Sequence, residues 1–171
     1  AGHRAAKVRP YLDAGYGVFL VGYRGYGPNP GKVTEKGLYG DAVAALNYLK
    51  SRGIAQGRII LYGESLGSGV AVNLAQGGRF AALVLESSFN SIAKGAQGQF
   101  PIFPVKYLGQ DRYESERKIS QIDAPLLLLH GLRDRTVPIR YGRALFALAP
   151  EPKKFIEFAD AGHNDLYDHG A

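Results

Sequence analysis

The sequence predicts an α/β fold: a mostly parallel sheet with helices on both faces. Three observations carry this. Five short apolar runs, rich in branched or aromatic residues, recur along the 171 residues. Segments with helical periodicity lie between them. The runs are almost continuously apolar rather than alternating, as in strands covered on both sides. Strands and helices taking turns along a chain make a layered sheet with crossover helices.

The first predicted strand is "GVFLVGY", Gly17–Tyr23, followed by a glycine-rich loop that opens "RGYGPNPG". Thr34–Arg52 reads as a helix: a capping-type threonine, Glu35 in the first turn, and Leu38, Ala42, Ala45 and Leu49 at helical spacing. Arg24 and Asp41 are placed to tie that loop to this helix as an ion pair. "RIILYG" (Arg58–Gly63) is the second strand and Leu66–Gln76 the helix after it. "AALVLES" (Ala81–Ser87), "PLLLLHG" (Pro125–Gly131) and "KKFIEFA" (Lys153–Ala159) are the remaining strands, with a helix over Arg140–Leu148. Asn90–Ile119 breaks the rhythm, with Pro101, Pro104 and a charged tail. It reads either as a crossover helix with a surface loop or as a short segment covering a site. The whole chain, 1–171, is taken as one domain with this segment inside it.

Composition narrows the function classes. Without cysteine there is no disulfide framework, thiolate metal site or cysteine nucleophile. The histidines and carboxylates show no metal-ligand spacing, so no metal and no cofactor is expected. The net charge of +6 comes from scattered residues with no interleaved aromatics, which argues against nucleic acid. It fits a solubility role, with an anionic partner such as phospholipid or acyl-CoA as the alternative. No apolar run approaches the length of a bilayer span. A cytoplasmic location is the default expectation, with membrane anchoring by a segment ahead of Ala1 left open.

The chemistry centres on "LYGESLGSGVAVNLA", Leu61–Ala75. Gly63, Ser65 and Gly67 form G-x-S-x-G between a predicted strand and a predicted helix, the context of a nucleophile elbow. In such a turn the flanking residues must be small, and the helix start offers N–H groups and positive dipole to an oxyanion. Gly63, Gly67 and Gly69 also read as a dinucleotide-binding turn, with Glu86 near the position of a ribose-binding acid. A plain turn serine is the third reading. An elbow requires an acid and then a histidine from later strand ends on the same edge of the sheet. Asp134 follows the fourth predicted strand and His163 the fifth, in that order. Asp134 also reads as a turn residue capping the helix that starts near Pro138. Glu86 is the alternative acid. His130 reads as structural, bonded to backbone or carboxylate, and His3 and His169 as terminal residues without a catalytic role.

Taken together, "YRGYGPNPGKVTEKGLYGDAVAALNYL", "LYGESLGSGVAVNLA", "LVLESSFNSI", "LLLLHGLRDRTVP" and "AGHNDL" resemble the α/β-hydrolase superfamily. The likeness is closest to the BEM46-like group, with its alpha/beta hydrolase domain 17 (ABHD17) and 13 (ABHD13) types of lipid-ester and thioester hydrolases. The resemblance implies Ser65 as nucleophile, Asp134 as triad acid and His163 as general base. It also implies Leu66 as an oxyanion-hole donor through its backbone N–H. The implied activity is hydrolysis of carboxylic esters or thioesters of small or lipid-like acyl groups through an acyl-enzyme, in the esterase, thioesterase or lipase class. The alternatives are an inactive or binding module on the same scaffold and, more remotely, a dehydrogenase-like domain. In that family a second oxyanion donor precedes the segment matched by "AGHRAAKV". The chain is therefore expected to be truncated at both termini, the central part of a longer hydrolase, with that donor upstream of Ala1. Phe100, Phe103 and Tyr107 either line an acyl site or pack the covering segment onto the core.

Overall fold

The computed structural model describes residues 2–91 and 111–171, with side chains from residue 7 onward. Four strands, β1 (Ile60–Glu64), β2 (Ala82–Glu86), β3 (Leu126–Gly131) and β4 (Lys153–Phe158), form one sheet in the order β1-β2-β3-β4. Every pairing is parallel. The helices are α1 (Gly2–Asp13), α2 (Glu35–Ser51), α3 (Leu66–Ala75), the short α4 (Ser115–Lys118) and α5 (Ile139–Leu148). Their bounds match the sequence expectation within a few residues wherever a strand or helix was expected, with one exception.

That exception is Gly17–Tyr23, which joins no ladder in the sheet. Val18, Phe19, Leu20 and Val21 are 38–58% exposed, and Phe19 stacks on Tyr48 of α2. Apolar β-branched sequence supplies the propensity for a strand, but a strand also needs a neighbour to take its N–H and C=O groups. Among the described residues no strand pairs with this segment, the Tyr23 carbonyl instead accepting from Tyr26 N–H and Asn29 Nδ2, and the outer edge of β1 carries half-open Ile60 and Tyr62. Helix α1 is the converse. It lacks an acidic first turn and contains Pro10, so local signals for it are weak. It is fastened instead by long-range contacts. Lys7 reaches Glu86 at 2.6 Å and Glu64 at 3.2 Å, and the Tyr11 hydroxyl lies 2.9 Å from that of Tyr167.

The two-residue period of the strands divides the core in two. Leu83, Leu85, Leu126 and Leu128 face Val72 and Ala75 of α3 and Leu145 of α5, with Phe80, Ile119 and Ile122 closing the layer. Burying each leucine of this set contributes roughly 1.5–3 kcal/mol. Val84 and Leu129 face the other way, onto Ala161 and Leu166. Helix α3 is buried on both sides, because Val70 packs outward onto Leu38, Ala42, Phe89, Tyr113 and Val137. This explains why its sequence is apolar all round.

Helix α2 starts as its sequence indicates. Gly37 N–H donates to Thr34 Oγ1 at 3.1 Å. Glu35 N–H donates to Asp111, and the Glu35 carboxylate accepts from the N–H groups of Arg112 and Tyr113. The expected Arg24–Asp41 pair is formed, with Arg24 Nη2 2.6 Å from Asp41 Oδ1. Residues 92–110 of the expected covering segment, with Phe100, Phe103 and Tyr107, lie outside the described residues. Its far end, from 111, continues into α4 and a 3₁₀ turn, Ile119–Gln121. Among the described residues, no helix is long and apolar enough to cross a membrane.

Candidate active site

Four consecutive strand ends deliver polar groups to one edge of the sheet. Ser65 follows β1, Ser87 follows β2, Asp134 lies in the turn after β3 and His163 in the turn after β4. Ser65 sits at φ 50°, ψ −119°, a conformation that a residue with a Cβ rarely adopts, between the last residue of β1 and the first of α3. Such strain costs on the order of 1–3 kcal/mol and persists only where the surroundings hold it. Here Ser65 N–H donates to Glu86 O at 2.9 Å, while the Ser65 carbonyl accepts from both N–H and Oγ–H of buried Ser68. The turn is tight on the strand side. A Cβ on Gly63 would lie 2.5 Å from Gly67 O and 2.7 Å from Ser68 Cα. Gly67 is different: its nearest neighbour is the Tyr23 hydroxyl, 3.9 Å from a built Cβ. The expectation that both flanking glycines are sterically required thus holds for Gly63 and not for Gly67.

His163 links the two other groups. Its Nε2 is 3.1 Å from Ser65 Oγ and its Nδ1 2.8 Å from Asp134 Oδ2. The residues are 98 and 29 positions apart in sequence. The loop holding His163 is seated by Arg133 N–H on Ala161 O, by Gly162 N–H on Asp165 and by Ser87 Oγ–H on the His163 carbonyl. Ser87, itself at φ 49°, was not singled out from the sequence. Nothing local distinguishes it from its neighbour Ser88, and neither does anything local mark Ser68.

Asp134 uses its two oxygens differently, and neither caps α5, whose N-cap position is Pro138 with no side-chain cap bond. Oδ1 accepts the N–H groups of Thr136 and Val137, the turn that leads into α5. Oδ2 faces His163. The side chain is fully buried. Burial by itself would raise its pKa, but hydrogen bonds from His130, His163 and Val137 N–H, with the nearby His163 charge, hold the carboxyl well below the usual range.

Glu86 is engaged elsewhere. It is wholly buried, bonded to Lys7 and to the Tyr62 hydroxyl, with Asp134 occupying His163 Nδ1 instead. The same burial removes it as a ribose-binding group. The reason is strand parity: Glu86 points to the face covered by α1, a helix the sequence pattern did not announce. Leu66, the first residue of α3, carries one of the N–H groups that a helix start leaves without an intrahelical acceptor. His130 is buried on β3, and exposed His169 lies 3.9 Å from Asp165. Among the described residues, no group of three or more His, Asp or Glu side chains is arranged to hold a metal ion.

Known proteins share this arrangement of elements. No family model matches the chain. An uncharacterized protein of Mycobacterium tuberculosis is 42% identical over 152 residues, 88% of this chain and 54% of its own length. Human alpha/beta hydrolase domain-containing protein 17B is 37% identical over 154 residues, 90% of this chain and 52% of its own. The chain thus spans about half the length of the curated relatives it matches. Among solved structures, an alpha-beta hydrolase from Vibrio vulnificus superposes with a TM-score of 0.76 at 24% identity, covering 98% of this chain and 65% of that one. The esterase domain of a Rhodothermus marinus protein gives 0.73 at 23% identity, covering 94% and 70%. The solved structures share the fold, and the 37% identity to alpha/beta hydrolase domain-containing protein 17B over 90% of this chain shows that the chain belongs to the α/β-hydrolase superfamily, in a group with that protein.

Proposed function

We propose that this chain carries a serine hydrolase of carboxylic esters or thioesters that works through an acyl-enzyme on Ser65. The observation that supports it most is the unbroken contact from Ser65 Oγ through His163 to Asp134. A serine hydroxyl is a weak nucleophile near neutral pH unless a base takes its proton. His163 Nε2 accepts that proton as Oγ attacks the acyl carbon, and the C=O electrons move onto oxygen. Leu66 N–H donates to the resulting oxyanion, supported by the positive end of α3. Collapse of this intermediate breaks the bond to the alcohol or thiol, which leaves with the proton from His163. A water molecule then gives its proton to His163 as it attacks the acyl-serine, and collapse breaks the acyl–Oγ bond, releasing the acid while His163 returns the proton to Ser65 Oγ. Asp134 stays ionised throughout, holding His163 in the tautomer with hydrogen on Nδ1 and stabilising its cation.

The names of the relatives agree in kind. Solved neighbours include proteins described as an esterase domain, a monoacylglycerol lipase and an acetyl xylan esterase. Their identities, 20–24%, limit the likeness to the fold. The test is direct. The purified protein is expected to be labelled by a fluorophosphonate probe, and Ser65→Ala to abolish the labelling. A wild-type protein that stays unlabelled while folded refutes the proposal.

A further inference from the structure

His130 is assigned nothing by the chemistry above, yet its buried imidazole lies beside the Asp134 carboxylate. It lies in β3, one residue before the strand ends, and is fully buried. Its Nε2 is 2.8 Å from the carbonyl oxygen of Val137. A carbonyl only accepts, so Nε2 carries the hydrogen. The same Nε2 is 3.4 Å from Asp134 Oδ2, the oxygen that receives His163. On the far side of the ring, α5 leaves no slack. A Cβ on Gly142 would lie 2.6 Å from His130 Nδ1 and 3.2 Å from Cε1, so a glycine there lets the helix backbone press on the imidazole.

We propose that His130 is a positioning residue of the Ser65–His163–Asp134 site: its Nε2–H pins the turn carrying Asp134 and steadies the carboxylate oxygen facing His163. The geometry gives the reason. The turn from 131 to 137 has its own backbone bond from Asp134 N–H to Gly131 O, long at 3.3 Å. The His130–Val137 bond spans almost the whole turn and closes it at its far end. With Thr136 and Val137 N–H on Oδ1 and both imidazoles beside Oδ2, the Asp134 carboxylate is approached by donors on each oxygen and cannot swing away from His163. A 1 Å misplacement in such a chain can cost about 100-fold in rate.

This assignment rests on the hydrolase reading, and the test separates the two. Gln and Asn both keep a polar amide, but only Gln places its N–H near the position of histidine Nε2. His130→Asn is expected to lower kcat on p-nitrophenyl butyrate by about 100-fold. KM should stay within about threefold of wild type, because a positioning residue does not touch the substrate. His130→Gln should restore most of kcat. In proton NMR, the downfield resonance of His163 Nδ1–H bonded to Asp134 should persist in wild type and His130→Gln and vanish in His130→Asn. Gly142→Ala keeps the imidazole but displaces it, and should reproduce the loss of kcat and of the resonance; it carries the test if His130→Asn does not fold. The proposal is overturned if folded His130→Asn keeps the resonance and a kcat near wild type. It is also overturned if His130→Gln and His130→Asn lose kcat equally. A wild-type protein that shows the resonance but neither hydrolyses nor labels sinks the hydrolase reading and leaves the positioning role standing.

Discussion

Replacing Gly63 by alanine places a methyl group where the strand and α3 already touch. The new Cβ would sit 2.5 Å from Gly67 O, 2.7 Å from Ser68 Cα and 2.8 Å from Ala71 Cβ. Ordinary carbon contacts are about 3.5–4.0 Å, so relief needs a shift of about 1 Å. Two of the three clashing atoms belong to backbone, so no side-chain rotation provides it. Gly63 is paired with Leu85 in the sheet, so the shift falls on the start of α3. Overpacking of this kind costs about 1–3 kcal/mol, and alanine recovers roughly 0.5–1 kcal/mol of backbone entropy. At mid-range values the balance is about 1.3 kcal/mol of destabilisation, or a melting temperature lower by about 3–5 °C for a chain this size. Ser65 rides on the displaced turn, so its labelling by fluorophosphonate should slow by about 100-fold. Gly67→Ala is the matched control. Its Cβ meets nothing closer than 3.9 Å, and alanine is favoured over glycine in a helix by up to about 1 kcal/mol. Differential scanning fluorimetry and labelling time courses on both variants decide the matter. If Gly63→Ala melts and labels like wild type, or if Gly67→Ala is equally damaging, the steric account of the turn is wrong.

Three other outcomes follow from the same geometry. Asp134→Asn should lower turnover by about 10⁴-fold by favouring the wrong His163 tautomer, whereas Glu86→Gln should leave labelling intact while costing about 3 kcal/mol by removing the carboxylate opposite Lys7; parallel labelling and melting experiments distinguish them. The Asp134 pKa is lowered in the fold, so the stability it confers is fully present above the unfolded aspartate value of about 4 and drains away as pH falls below it. Urea titrations between about pH 5 and 2 should therefore show a shallower loss in Asp134→Asn than in wild type. A Cβ on Gly131 would collide with Ala161 O and lie 2.5 Å from Gly162 O, so Gly131→Ala should push the His163 loop outward, lowering both melting temperature and labelling rate.

Much of this molecule was readable in the sequence because much of it is local. The four sheet strands, the threonine cap of α2, the Arg24–Asp41 tie and the G-x-S-x-G turn each depend on residues close in the chain or on a simple period. The order of Ser65, Asp134 and His163 was readable too, since a parallel sheet sends successive strand ends to one edge. Other features resisted, each for a physical reason. Gly17–Tyr23 has the composition of a strand, but strand formation is decided by a partner that composition does not specify. Helix α1 lacks strong local signals and is held by Lys7 and Tyr11 across the fold, so its presence and the burial of Glu86 were hidden together.

What the sequence determined by itself was a parallel α/β sheet with a serine turn and an acid and a histidine in the right order behind it. Only the tertiary structure decided that Asp134 rather than Glu86 meets His163, that one oxygen of Asp134 holds its turn while the other faces the imidazole, and that a Cβ is crowded at Gly63 but not at Gly67. The division follows from range. Periodicity and capping are interactions over a few residues, whereas the approach of Ser65 to His163 joins groups 98 positions apart through the packing of everything between them.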